Sequence, residues 1–332
     1  MKILSFATVG FVAVFTWSAA IASPLTDTYS SFWVLGDSLS DNGNLFALTG
    51  TPPAPYFNGR VSNGPVWNEQ IIADFASENG QAPVVGNFGG ETQLTFNGNF
   101  AFAGARADNE TNPRIPIPGL LAQTLEFLSV TTPTDRGANP LVSVWAGAND
   151  IFQGLPLAAT LEQVQGVGKA AARAVVQSVS TLGLSGVQNV MVFNLPDIGK
   201  TPAFSGSVAA SMATTAFNQE LAGGLAGLSP VLNIIEVDTF GTFNAIQSDP
   251  LAFGLSNASD ACLDSLACVL GGDAVQDSYL FWDGVHPTAA GHRLIAETAI
   301  SAATVPLPAG LPLMLAGIGG LGLMARRKRK AA

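Results

Sequence analysis

Along most of the chain, short uninterrupted apolar runs alternate with longer segments in which apolar residues recur every three or four positions. A short apolar run bounded by turn formers predicts a strand, and a 3.6-residue period sustained over ten or more positions predicts a helix. Strands are therefore expected at 32–36, 141–146, 187–194 and 231–237, and helices at 66–76, 117–130, 160–182, 208–228 and 288–301. The strand runs are nearly continuous in apolar residues, as expected where helices cover both faces of a parallel sheet. Such alternation predicts an α/β layer fold. No fixed-period repeat and no linker divides the body.

Both ends depart from this pattern. Lys2 precedes the apolar stretch 3–21, and Ala20-Ile21-Ala22 supplies the small-x-small pattern of a cleavage site, so residues 1–22 read as a signal peptide removed after Ala22. A retained anchor is the alternative. At the other end, Val305-Pro306-Leu307-Pro308-Ala309 opens an uncharged stretch that closes on Arg326, Arg327, Lys328, Arg329 and Lys330. A bilayer needs roughly 20 apolar residues to cross, which 307–325 nearly supplies, and the basic cluster predicts a cytoplasmic end. Residues 305–332 resemble C-terminal sorting signals of the PEP-CTERM type in the VPLPA variant. That resemblance implies export and C-terminal processing machinery as partners. It also implies a membrane-anchored precursor and a body, 23–304, that ends at the cell surface or outside the cell. A permanent anchor is again the alternative.

Composition fits a single sizeable domain: of 332 residues, 48% are hydrophobic and 11% charged, far from the disordered class. Six of the 14 Lys and Arg lie in the two end segments, whereas all 24 Asp and Glu lie between them, leaving a body of net charge −16. Such a body repels nucleic acid, so no nucleic-acid partner is expected. The two cysteines, Cys262 and Cys268, read in an exported protein as a disulfide rather than a redox or metal site. So short a loop contributes roughly 2 kcal/mol, enough to pin a local excursion. With two histidines in the chain the ligands for a metal site are lacking.

In open parallel sheets, functional residues gather at the carboxyl ends of the strands. Here those ends read Gly36-Asp37-Ser38, Gly147-Ala148-Asn149-Asp150 and Asn194-Leu195-Pro196-Asp197. A serine hydroxyl becomes a useful nucleophile when a base takes its proton, and the bases available are His286 and His292. Asp283 precedes His286 by three residues, and Pro287 disfavours helical backbone at His286, so an Asp and a His share one loop ahead of the last helix. Asp283 can then fix the imidazole tautomer and orientation. His292 lies near the start of that helix and is expected to be a hydrogen-bonded structural group.

Four ordered blocks, Gly36-Asp37-Ser38-Leu39, Asn99 to Ala105, Gly147-x-Asn149-Asp150 and Asp283-x-x-His286-Pro287, resemble those of the GDSL/SGNH hydrolases over about residues 31–301. The resemblance implies a flavodoxin-like three-layer α/β/α sandwich and a serine ester hydrolase without metal or organic cofactor. It makes Ser38 the nucleophile, His286 the base and Asp283 its partner. It builds the oxyanion hole from the Ser38 and Gly104 N–H groups and the Asn149 amide. Asp37, Asp41, Asn44 and Asp150 are expected to support these groups. Leu35 and Ala103 stand where the family often has Phe and Gly, departures that bear on subfamily. No Gly-x-Ser-x-Gly occurs, so the nucleophile elbow of α/β-hydrolases is absent. The run Gly36 to Asn44 lies nearest the lipase and phospholipase branch, so an acyl ester, including lipid esters, is the expected substrate. Residues 50–64, rich in Pro, Gly and Asn, are expected to form a lid or rim. The alternatives are a phospholipase or acyltransferase of the same fold, or a non-catalytic surface or matrix protein.

Overall fold

The computed structural model describes residues 25–81, 85–88, 91–94, 98–108 and 117–304. The proposed signal peptide and the whole C-terminal segment, including 307–325, lie outside them. Among the described residues no helix is long and apolar enough to cross a membrane.

Eight strands occur among the described residues: β1 (Ser31–Gly36), β2 (Val85–Phe88), β3 (Glu91–Leu94), β4 (Pro140–Trp145), β5 (Asn189–Phe193), β6 (Asn233–Val237), β7 (Asn257–Ala261) and β8 (Tyr279–Phe281). The central sheet is wholly parallel, in the order β1-β4-β5-β6. β1, β4 and β5 are buried at every position, as their unbroken apolar runs predict. β6 departs from that expectation: it is an edge strand, with Asn233 and Glu236 exposed. β2 and β3 form an antiparallel hairpin, and β7 and β8 a short parallel pair; neither is announced by an apolar run.

A further ladder borders β1. The Val34 N–H donates to the Gly98 carbonyl at 3.0 Å, Phe100 N–H to the Val34 carbonyl at 2.7 Å and Phe102 N–H to the Gly36 carbonyl at 3.1 Å. Residues 98–102 thus run parallel to β1. With them the spatial order is 98–102, β1, β4, β5, β6, the doubly wound flavodoxin-like arrangement.

Helices pack on both faces. Leu120–Val130, Leu161–Leu184 and Val208–Leu228 make one layer; Asn68–Glu78, Thr239–Ser248 and Ala289–Thr304 make the other. Leu161–Leu184 begins at a capping box in which the Thr160 hydroxyl and Gln163 side chain each accept from the other's backbone N–H. It lies close along Val208–Leu228, where Ala171, Ala172, Ala210 and Ala213 are buried. At the carboxyl end of the sheet, Trp145 stacks on Phe193 with ring centroids 4.6 Å apart, and Trp67 packs on the same Phe193 at 4.6 Å. Burying each such ring contributes roughly 2–3 kcal/mol. The Trp67 indole N–H continues to the Ser40 hydroxyl at 3.1 Å, so the core ends where the polar loops begin.

Candidate active site

β1 stops at Gly36 because the next residues are spent on a tight polar turn. The Asp37 carbonyl accepts the N–H of Ser40 and of Asp41. The Asp37 carboxylate accepts Leu39 N–H at 3.0 Å. Ser38 stands at the apex, with its own N–H unpaired among the described residues.

Asp41 fixes the next turn of chain. Its two oxygens accept the N–H groups of Gly43, Asn44 and Leu45, at the start of the helix Asn44–Thr49, and that of Ala103 at 2.8 Å. Asn44 donates to the Asn99 and Ala101 carbonyls at 2.9 and 2.8 Å, and Asn99 returns a bond to the Ser40 carbonyl at 2.6 Å. The first and second sequence blocks are thereby laced into one unit. Because Ala103 N–H is committed to Asp41, the backbone donor left open in this block is Gly104 N–H, which has no acceptor among the described residues.

The third block begins where β4 ends. Gly147 has φ 122°, and a Cβ there would lie 2.4 Å from the Phe217 ring, so the turn into Ala148–Gly154 requires glycine. Asn149 Nδ2 donates to the Ala105 carbonyl at 2.9 Å, leaving its second N–H free of any acceptor among the described residues. Asp150 accepts Ala107 N–H at 2.8 Å and faces Arg106 Nε at 3.5 Å. Burial raises its pKa to about 6 against the pull of those donors.

On the fourth block, residues 282–286 form a loop closed by Trp282 N–H donating to the His286 carbonyl at 2.8 Å. Asp283 Oδ1 accepts Val285 N–H and His286 N–H at 2.9 and 2.8 Å, and both carboxylate oxygens lie within 2.9 Å of His286 Nδ1. His286 Nε2 lies 2.8 Å from Ser38 Oγ. Burial opposes the charge on Asp283, but the His286 hydrogen bond and the two backbone donors outweigh it and hold its pKa at about 2. Asp283 is thus charged at any working pH, and its contribution to stability is lost as pH falls from about 4 towards 2.

Asp37 is different. Its second oxygen is buried without a hydrogen-bond partner among the described residues, and burial pushes its pKa to about 7, with nearby Asp150 reinforcing the shift and Leu39 N–H and His286 opposing it. Folding therefore favours the protonated form, and this group's cost to stability grows as pH rises from about 4 to about 7. Asp37→Asn keeps the acceptor for Leu39 and abolishes the titration. Its stability is expected to gain on the parent's as pH rises from about 4 to about 7, by a gap on the order of a few kcal/mol. Melting curves that stay parallel across that range would show that Asp37 does not titrate there.

The structure brings Ser38, His286, Asp283, Gly104 and Asn149 to one end of the sheet, with Asp37, Asp41, Asn44 and Asp150 around them. The other polar groups at the β5 end do local work: Asn194 accepts from Phe240 N–H, and Asp197 accepts from Gly199 N–H and Ser211. His292 overturns its expectation, since it is fully buried and neither ring nitrogen has a hydrogen-bond partner among the described residues. Burial, with nearby His286, pushes its pKa down to about 3. The pairing of Cys262 with Cys268 is present. Asn99 opens the second block but its clamping role was not read from the sequence, and Tyr56 was missed; the Tyr56 hydroxyl donates to Asp283 Oδ2 at 2.9 Å. Nothing in the Pro-rich stretch around Tyr56 marks it, because its partner is 227 residues away.

A serine, a histidine and a carboxylate in one hydrogen-bonded series, beside open N–H donors, define a serine hydrolase arrangement. The chain belongs to the GDSL-like lipase/acylhydrolase family, whose profile matches residues 33–299, and it is a serine ester hydrolase. It is 31% identical over 264 residues to a phosphatidylcholine-sterol acyltransferase of Aeromonas hydrophila, covering 76% of this chain and 70% of that one. It is 27% identical over 297 residues to the thermolabile hemolysin of Vibrio parahaemolyticus, covering 82% of this chain and 63% of that one. A GDSL esterase/lipase of Arabidopsis thaliana is 26% identical over 318 residues, 82% of this chain and 86% of that one.

Proposed function

We propose that this protein is an exported carboxylic-ester hydrolase that acts through an acyl-enzyme on Ser38, with lipid acyl esters as its substrate class. The observation that carries the reading is the 2.8 Å contact of His286 Nε2 with Ser38 Oγ, backed by charged Asp283. His286 takes the Ser38 proton as Oγ attacks the ester carbonyl. The Ser38 and Gly104 N–H groups and the free N–H of Asn149 stabilise the tetrahedral oxygen. His286 then returns the proton to the departing alcohol, and water releases the acid by the reverse sequence. No step calls on a metal or an organic cofactor.

The likeness to proteins called an acyltransferase, a hemolysin and an esterase/lipase supports acyl esters, and lipid esters among them. Transfer of the acyl group to an alcohol is the second reading, favoured by the acyltransferase relative. The test is turnover of p-nitrophenyl esters of graded chain length and of phosphatidylcholine, with and without a sterol acceptor. A silent protein on every ester would sink the hydrolase reading in favour of a non-catalytic surface or matrix role. Export rests on the features of 1–22 and 305–332. Intact mass of the surface or extracellular protein is expected to lack both segments, and a mass that retains 326–332 would show a permanent anchor.

Asn149→Ala is expected to lower kcat by roughly a hundred- to a thousand-fold with little change in KM, because one oxyanion donor acts in the transition state. A loss wholly in KM would make Asn149 a binding residue.

A further inference from the structure

Within the stretch 50–64, Tyr56, Ser62 and Asn63 reach the catalytic loop and the residues that follow it. Tyr56 donates to Asp283 Oδ2 at 2.9 Å, the Ser62 hydroxyl to the Pro287 carbonyl at 2.9 Å, and Ala289 N–H to Asn63 Oδ1 at 2.7 Å. The loop thus grips positions 283, 287 and 289, on both sides of His286. Tyr56 is itself braced. Its ring meets Trp282 edge-on at 6.5 Å, and Trp282 is buried against the Cys262–Cys268 disulfide in an apolar cluster of its own. Asp283 consequently has a full set of partners. Oδ1 takes two backbone N–H groups, and Oδ2 takes His286 Nδ1 and the Tyr56 hydroxyl.

From this geometry we infer that Tyr56 is a positioning residue of the ester hydrolysis, holding Asp283 so that His286 stays aimed at Ser38 and moderating the carboxylate's grip on the imidazole. The inference rests on the acyl-enzyme reading above. A phenol donating to a carboxylate takes up part of its negative charge, and without that donor the carboxylate favours the imidazolium more strongly. Burial and the neighbouring carboxylate raise the phenol's own pKa, so it remains a donor throughout the working range.

Tyr56→Phe removes the hydroxyl and keeps the ring against Trp282. Its kcat on p-nitrophenyl acetate is expected to fall about tenfold with KM unchanged, the scale of one hydrogen bond to a charged group. The acid limb of kcat/KM, where His286 must be neutral to act as base, is expected to move to higher pH. The groups facing His286 are Asp283 on its own loop, Asp37 from the loop after β1 and His292 from the last helix; the substitution leaves Asp37 and His292 untouched and reaches His286 through Asp283. Tyr56→Ala, which also removes the ring, is expected to lower the melting temperature in addition, separating bracing from hydrogen bonding. Parental kcat in Tyr56→Phe, or a fallen kcat with an unmoved acid limb, would overturn the inference. Failure of the acyl-enzyme reading is distinguishable, because Ser38→Ala would then retain activity whatever Tyr56→Phe did.

Discussion

Ser38→Ala and His286→Ala are each expected to lower kcat about a million-fold, the loss seen when the nucleophile or base of a comparable serine triad is deleted. The expectation rests on the single contact that joins them, His286 Nε2 to Ser38 Oγ at 2.8 Å. Deleting either group removes the covalent route whole, so the double variant should be no slower than either single one. Residual turnover then comes from the open N–H donors of Ser38, Gly104 and Asn149 and from substrate binding. Ser38 Oγ meets the His286 ring at the site's edge and ties no part of the core together, so Ser38→Ala should melt near the parent temperature. Stopped assays at high enzyme concentration give the measurement. Turnover by Ser38→Ala within a hundred-fold of the parent would defeat the proposed mechanism.

Asp283→Asn is expected to cost about ten-thousand-fold in kcat, the loss seen when the carboxylate behind a catalytic histidine is made an amide. The amide oxygen can still accept Val285 and His286 N–H, which keeps the loop closed. The amide N–H, however, faces Nδ1 and favours the imidazole tautomer whose proton sits on Nε2, where it cannot take one from Ser38. Asp283→Ala loses the backbone contacts as well, so it should also melt lower. A kcat in Asp283→Asn within tenfold of the parent would mean that His286 is oriented by its loop alone.

The legible parts of the fold were those in which local pattern and burial agree. β1, β4 and β5 are apolar at nearly every position and covered on both faces, and Val208–Leu228 begins and ends where its period does. Edge elements were harder to read. β6 exposes Glu236 and starts later than its apolar run, and β7, Asn-Ala-Ser-Asp-Ala, has almost no apolar residues to announce it. The ladder at 98–102 was invisible as a strand, because backbone pairing with β1 and the side chain of Asn99 define it. In the site, Ser38, Gly104, Asn149, Asp283 and His286 lay in the four blocks, whereas Tyr56, which meets Asp283 from the Pro-rich stretch, did not. The choice of Gly104 over Ala103 became physical once Asp41 was seen to occupy Ala103 N–H. Hydrogen bonding at His292 failed as an expectation because a helical position near a site says nothing of what faces it.

The ladder at 98–102 also has a bearing on association between copies of the chain. β1, Ser-Phe-Trp-Val-Leu-Gly, is a short, uncharged, proline-free strand of high β-propensity, the kind of segment that recruits its like when its edge is open. Residues 98–102 occupy that edge, and Asn99 and Asn44 clamp them there. The opposite edge, β6, is guarded by the charge of Glu236. The segment that caps this edge runs directly into Gly104, the proposed oxyanion donor, so the guard on the sheet edge and the geometry of the site depend on one stretch of chain.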